Sequence, residues 1–249
     1  MSLKILFLFL ILIISTKCQR EEQKSIIAQL KAFLQNNVPN EIVVNFLEYL
    51  RTFKKKEIPS HLSENRIAFK NHLSTINSNK GFIEDQRNYK DMTYGALPLS
   101  DNGCELIAIY NALFELTGKK DTDFSLIVDM HEKDGILLSG LFGTSIRAIE
   151  EYFVKNGFKT KSSSKKEDYE QIAQNSDVLI LTMYNSRYDI TAQVHTIAIT
   201  KKDGKYYVHN NSANPPSVGY SSFTTCLSLI NSGLAKDLFL IGINKKSET

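Results

Sequence analysis

The order of hydrophobic periodicities along the chain constrains its fold most. The first part of the sequence carries apolar residues at helical spacing, whereas β-branched and apolar runs appear later, at 178–184, 195–200, 205–210 and 238–243. The Asp203–Gly204 pair between the second and third runs is a strong hairpin signal. Helices followed by an antiparallel sheet predict an α+β fold.

The N-terminus predicts export. Lys4 precedes an apolar run, Ile5–Ile14, that is too short to cross a bilayer as a stable helix but has the length of a signal-peptide core. Three outcomes stay open: cleavage near Cys18, a lipid on Cys18, or a retained membrane anchor. We expect cleavage, because Lys17 stands where a lipoprotein signal carries a small residue. The protein is therefore expected to be secreted or extracytoplasmic, with membrane contact only through an uncleaved signal or a lipid on Cys18.

These patterns divide the chain into three regions. Residues 1–18 are the predicted signal peptide, and residues 19–80 are a predicted helical pro-segment or extension with no cluster of titratable residues that resembles a reaction centre. Residues 81–249 form the predicted main domain, with Gly and Pro punctuation, aromatic residues and β-branched runs. Within it, the lysines and serines of 161–166 predict a solvated loop.

Charge and residue content argue against several classes of function. The formal net charge of +3 falls further when the signal is removed, so nothing favours nucleic acid as a partner. The histidines lack metal-ligand spacing, and no phosphate loop is present, so we expect no cofactor and no metal. Two cysteines, Cys104 and Cys226, follow the signal, too few for a fold held by disulfides. Either they form a single bridge or Cys104 is available for chemistry.

Cys104 opens a predicted buried helix that ends at Gly118. In the first turn of a helix, unpaired backbone amides and the positive end of the dipole lower the pKa of a thiol, and the thiolate is the nucleophilic form. Gly103 allows a tight turn into the helix and leaves room for a substrate backbone. The alternative is that Cys104 is only a small buried hydrophobic residue.

His195 is the predicted general base. It begins the run HTIAIT, in which it alternates with apolar residues, so one face of the strand would point it at the start of the Cys104 helix. The chain returns from the hairpin turn as KYYVHNN, which brings Asn210 close to His195. A base needs a partner that holds one ring nitrogen while the other faces the thiol, and Asn210 is the candidate. The alternatives are a histidine with only a structural role at 195, and His209 as the base.

The segments YGALPLSDNGCELIAIYNAL and VHTIAITKKDGKYYVHNN together resemble the C39-like peptidases, a branch of the papain-like cysteine proteases. The resemblance covers about residues 89–244. It implies a papain-like fold, with the Cys104 helix packed on an antiparallel sheet. It also implies a cysteine peptidase that hydrolyses peptide or amide bonds of a peptide or protein through a Cys104–His195–Asn210 triad and a thioester acyl-enzyme. No cofactor is implied, and we expect a monomer.

The sequence departs from this family in one respect, because the Gln that usually precedes the cysteine by several residues is missing. Asn102, or less favourably Ser100, is the candidate oxyanion donor together with the Cys104 amide. The missing Gln keeps an inactive, papain-like secreted binding module open, beside an acyltransferase or cell-wall amidase with the same Cys and His. The run RIAFKNHLSTINSNKG has a weaker likeness to the inhibitory propeptides of cathepsin-type proteases.

Overall fold

The computed structural model describes residues 39–52, 59–119, 122–184, 194–211, 218–231 and 236–245. The predicted signal peptide and the following residues up to 38 lie outside the described residues. No helix within these ranges combines the length and the apolar content that a membrane crossing requires.

Helices dominate the first half of the described chain and strands the second, which confirms the predicted α+β class. The helices are α1 (Asn40–Arg51), α2 (Leu62–Ser78), α3 (Leu99–Asn102), α4 (Cys104–Thr117), α5 (Phe124–Lys133), α6 (Ile146–Lys155), α7 (Tyr169–Gln174) and α8 (Phe223–Asn231). The strands are β1 (Thr93–Tyr94), β2 (Leu97–Pro98), β3 (Lys159–Ser163), β4 (Val178–Tyr184), β5 (Val194–Lys202), β6 (Lys205–His209) and β7 (Lys236–Asn244).

Strands β3 to β7 form a five-stranded antiparallel sheet in the order β3-β7-β4-β5-β6. The predicted β5–β6 hairpin is confirmed, and its turn residues Asp203 and Gly204 both have positive φ, 51° and 72°, as a tight hairpin turn of matching twist requires. The loop prediction for 161–166 is wrong in its first half, because Lys159–Ser163 is an edge strand paired with β7. The segment Lys159–Ser163 has exposed lysines and no alternating apolar pattern, so only the pairing with β7 makes it a strand.

Helix α4 lies at the centre of the main hydrophobic core. It begins at Cys104 and ends before Gly118, whose left-handed φ of 66° closes the helix, as predicted. One side packs on β4 and β5, and the other meets α2 and α5. On that second side, the Tyr110 ring contacts the rings of Phe69 and Phe124, with centroids 6.1 Å and 5.6 Å away. This burial on all sides explains why the helix is apolar nearly all around.

Helices α1 and α2 come from the predicted 19–80 region and share this core. Helix α1 buries Val43, Phe46 and Leu50, and α2 buries Phe69. The buried Asn65 side chain of α2 exchanges two hydrogen bonds of 2.8 Å with the backbone of Thr93. The described part of the helical region is therefore docked on the main domain, and the predicted boundary at residue 80 divides a continuous core.

The opposite face of the sheet carries a second apolar cluster. Leu179 and Leu181 of β4 and Ile197 and Ile199 of β5 pack there beneath α7 and α8. Ala198, between the two isoleucines, belongs to the first cluster with α4. The alternation of side chains along β5 thus divides the strand between the two layers.

Candidate active site

Cys104 is buried at the start of α4, with 5 % of its surface exposed. Gly103 precedes it at a point where a side chain does not fit, because an added Cβ would lie 2.6 Å from the carbonyl oxygen of Leu99. The thiol donates to Glu105 Oε2 at 3.3 Å, and its sulfur lies 4.0 Å from the main-chain oxygen of Val194. No disulfide joins Cys104 to Cys226, so the single-bridge alternative is wrong.

Cys226 offers a comparison for the Cys104 thiol. It belongs to α8 in the second cluster, is fully buried, and burial raises the pKa of its thiol to about 12. A thiol with such a pKa is almost wholly protonated at neutral pH and reacts slowly. Cys226 therefore has the environment of a structural cysteine.

His195 is the second residue of β5 and is half-buried. Its Nε2 lies 2.7 Å from the main-chain oxygen of Asn210. Because a carbonyl oxygen only accepts, Nε2 carries the proton, and Nδ1 is left with the lone pair of a base. Burial lowers the pKa of His195, and the hydrogen bond to Asn210 opposes that effect only in part. The ring is therefore neutral at neutral pH, the protonation state that a general base requires.

The start of α4 and the start of β5 meet at Val194, the residue before His195. The sulfur of Cys104 lies 4.0 Å from the main-chain oxygen of Val194, and His195 is the next residue of β5. The sequence predicted that the face of β5 that carries His195 points at the start of the Cys104 helix. That prediction is wrong for the strand as a whole, because Ile197 and Ile199 pack under α7 and α8, on the side of the sheet away from α4.

Asn210 does contact His195, but through its backbone. It is buried and has a left-handed φ of 60°, a conformation that Asn tolerates better than most residues. Its side-chain Oδ1 accepts the backbone amide hydrogen of Gln86 at 3.0 Å, and its backbone amide donates to Glu84 Oε2 at 3.1 Å. The orienting contact with His195 therefore needs this backbone geometry rather than the asparagine side chain.

The predicted oxyanion donors are engaged in other contacts. Asn102 Nδ2 donates to the carbonyl oxygens of Tyr94 at 3.0 Å and Gly140 at 3.1 Å. Ser100 donates its hydroxyl hydrogen to Asp101 at 3.2 Å. Donation from Asn102 to a substrate oxygen requires release of one of its two bonds, so its oxyanion role stays a prediction.

Two residues close to the candidate site were missed by sequence reasoning. Gln86 donates its side-chain amide to the Ser100 oxygen at 2.8 Å, next to the start of α4, and its backbone amide to Asn210. Glu84 binds the Asn210 amide. Both precede β1, in a segment without regular apolar periodicity, so no sequence pattern predicts that the fold returns this segment to the end of β6.

His209, the alternative base, uses both ring nitrogens. Nδ1 lies 2.7 Å from Glu84 Oε1, and Nε2 lies 2.9 Å from the Thr200 hydroxyl. Phe82 stacks on the ring with centroids 4.0 Å apart. The imidazole is buried and has no nitrogen left for a substrate, so its environment is that of a structural histidine.

A small cavity adjoins Glu105 and Val194. Its volume of about 20 Å³ is enough for one water molecule. Val43 and Leu47 of α1 form part of its wall, and the Tyr184 hydroxyl beside it is buried and has no hydrogen-bond partner within the described ranges. Burial raises the pKa of Tyr184, so its hydroxyl stays protonated. Among the described residues, no group of three or more His, Cys, Asp or Glu side chains is arranged to hold a metal ion.

Comparison with known proteins adds no family to these observations. No protein-family model matches the chain, and searches of curated proteins and of solved structures each found no match. Any assignment of function therefore depends on the residues of the candidate site.

Proposed function

We propose that this chain is an exported cysteine peptidase with a papain-like fold, in which Cys104 is the nucleophile and His195 the general base. The observation that carries the proposal is the hydrogen bond from His195 Nε2 to the Asn210 oxygen. This hydrogen bond leaves Nδ1 as the basic nitrogen of a neutral ring. His195 directly follows Val194, whose main-chain oxygen lies 4.0 Å from the Cys104 sulfur. The substrate is a peptide or protein, no cofactor is required, and the enzyme acts as a monomer outside the cytoplasm.

The reaction begins when the Cys104 side chain turns from Glu105 toward Nδ1. The thiol proton passes to Nδ1, and the sulfur forms a bond to the substrate carbonyl carbon. The C–N bond then breaks, and the leaving amine takes the proton from the imidazolium, which leaves a thioester on Cys104. Water attacks the thioester, His195 takes a proton from the water, and the acid product leaves as the thiol is restored. The Cys104 amide at the start of α4 and, once released, Asn102 stabilise the oxyanion.

Alkylation of the folded protein tests the nucleophile directly. Iodoacetamide should label Cys104 much faster than Cys226, because burial holds Cys226 in the thiol form. A Cys226→Ala variant should keep the fast labelling and Cys104→Ala should lose it. Equally slow labelling of both cysteines in the folded protein contradicts the proposal.

Hydrolysis is tested with a broad peptide library, digested in parallel by the parent protein, Cys104→Ala and Cys226→Ala. We expect cleavage by the parent and by Cys226→Ala and none by Cys104→Ala, with equal far-UV circular dichroism for all three.

N-terminal sequencing of the exported protein tests the region assignment. A start near residue 81 identifies a removable pro-segment, and a start near residue 19 identifies a retained extension.

A second candidate function is a secreted binding module that keeps the fold without catalysis. The contact of the Cys104 thiol with the Glu105 carboxylate favours it, because a neighbouring negative charge disfavours the thiolate. So does the engagement of the Asn102 amide. Identical digestion patterns for the parent and Cys104→Ala, together with peptide binding by both, would support this function over the first.

A further inference from the structure

We infer that the segment Phe82–Gln86, here called the clamp, positions the Asn210 carbonyl that orients His195, and that Glu84 is the residue on which the clamp depends. The catalytic meaning of this inference rests on the proposed function. The structural part does not, because it concerns only how the ring of His195 is held.

The clamp is fixed to the helix that carries Cys104. Ile83 donates its amide hydrogen to Asn111 Oδ1 at 2.8 Å, and Asn111 Nδ2 donates to the Ile83 oxygen at 2.9 Å. Both residues are almost fully buried. Phe82 contacts the Phe114 ring on the same helix, with centroids 4.9 Å apart. The backbone of the clamp therefore has a defined position relative to α4.

Glu84 joins the clamp to the end of β6. Its two carboxylate oxygens have different partners: Oε1 accepts from His209 Nδ1 at 2.7 Å, and Oε2 accepts from the Asn210 amide at 3.1 Å. The other nitrogen of His209 lies 2.9 Å from the Thr200 hydroxyl, and this second hydrogen bond fixes the ring. Only a carboxylate accepts at both oxygens, because a glutamine amide has a single oxygen.

Gln86 completes the attachment. Its backbone amide binds Asn210 Oδ1 at 3.0 Å, and its side chain binds the Ser100 oxygen at 2.8 Å, on the turn that leads into Cys104. Asn210 is thus held at its amide and at its side-chain oxygen. Its remaining acceptor, the main-chain carbonyl, meets His195 Nε2. The clamp links the nucleophile side of the site to the base side, so Glu84 acts as a positioning residue through Asn210.

Proton exchange at the His195 ring tests this inference on the full-length protein. In ¹⁵N-histidine-labelled protein the Nε2 proton of His195, identified by its loss in His195→Gln, should be protected from solvent. Glu84→Gln should speed its exchange about tenfold, the factor that corresponds to one lost hydrogen bond. Thr200→Val is the matched control, because it removes the other bond of His209 and leaves Glu84 on Asn210. It should leave the exchange rate unchanged.

The same variants have a kinetic signature if the proposed function holds. Glu84→Gln should lower kcat about tenfold with little change in KM, since the clamp positions the base and makes no substrate contact. Thr200→Val should change neither constant. Unchanged Nε2 exchange in Glu84→Gln, or an equal increase in both variants, overturns the inference. A parent protein that hydrolyses nothing refutes the proposed function, while the exchange result still decides the clamp.

If Glu84→Gln fails to fold, Asn210→Gly tests whether the clamp positions the Asn210 carbonyl. Glycine accepts the positive φ of this position and keeps both the amide that binds Glu84 and the carbonyl that binds His195. It removes only the side-chain bond to Gln86. If the clamp positions Asn210, the exchange rate of the Nε2 proton should rise measurably but by less than tenfold. An unchanged exchange rate would overturn the inference.

Discussion

The two histidines near the open end of the β5–β6 hairpin show how differently one side chain can be used. His209 is buried, stacked on Phe82, and bonded at both nitrogens, to Glu84 and Thr200. His195 is half-buried and bonded at one nitrogen, to the Asn210 oxygen. A ring with both nitrogens engaged adds stability but offers no acceptor. A ring held at Nε2 is oriented and still basic, which makes His195 the better candidate for catalysis.

Replacing the two histidines separately should give the largest contrast. We expect His195→Gln to lower kcat/KM by about 10² to 10⁴, the usual contribution of a general base, with a small change in unfolding free energy. His209→Gln should alter kcat/KM far less in the fraction that is folded. Hydrolysis kinetics and urea unfolding of both variants measure the contrast. Equal activity losses in the two variants would remove the distinction between the rings.

A third histidine makes the stability of the fold depend on pH. His131 in α5 is buried and donates Nδ1–H to the Ile127 oxygen at 2.8 Å, and burial lowers its pKa to about 4 from a usual 6.5. The unfolded chain then binds more protons than the native state, so this stability is fully present above pH 6.5 and is lost as the pH falls toward 4. The loss reaches about 3 kcal/mol.

Urea unfolding between pH 7 and pH 4 checks this, with His131→Gln as the test variant. The variant should lose less stability over that range than the parent. Met130→Gln changes an exposed neighbour on the same helix and adds no titratable group, so its pH dependence should match that of the parent. Equal pH dependence in the parent and His131→Gln would show that His131 does not titrate differently in the folded state.

The sequence predicted the elements whose signals are local. Strand β4 was predicted with its observed bounds, Val178–Tyr184, because a run buried on both faces is continuously apolar. The bounds of α4 followed from Gly103 and Gly118. Helices α5 and α8 were missed, since runs such as Ser-Leu-Ile-Val and Phe-Thr-Thr are β-branched or neutral and only packing makes them helical.

The sequence named Cys104, His195 and Asn210 as candidates, but it did not predict the contacts that they make. His195 contacts Asn210 through the carbonyl of a left-handed backbone, which no residue pattern reveals. Glu84 and Gln86 reach the site only because α2 and α4 bring their segment back across the hairpin. Contacts of this kind depend on distant packing, and composition or spacing carries no trace of them.

Removing the ring of His209 should affect stability more than catalysis. His209→Leu leaves Glu84 Oε1 and the Thr200 hydroxyl without their partner, which should cost about 2 kcal/mol of unfolding free energy. Thr200→Val removes one of these two bonds and should cost less. Urea unfolding of the two variants measures the difference. A loss for His209→Leu no larger than that for Thr200→Val would mean that Glu84 finds another partner.

The smallest expected effect concerns the backbone that His195 binds. At φ 60°, alanine at position 210 should be about 1 kcal/mol less stable than glycine, because a Cβ disfavours the left-handed conformation. Asn175, which follows α7 with an ordinary φ of −98°, is the matched control, and there glycine should be no more stable than alanine. Urea unfolding of the four variants gives both differences. If alanine and glycine were equally stable at position 210, the left-handed geometry would not be what holds the carbonyl toward His195, and another backbone arrangement would have to orient the ring.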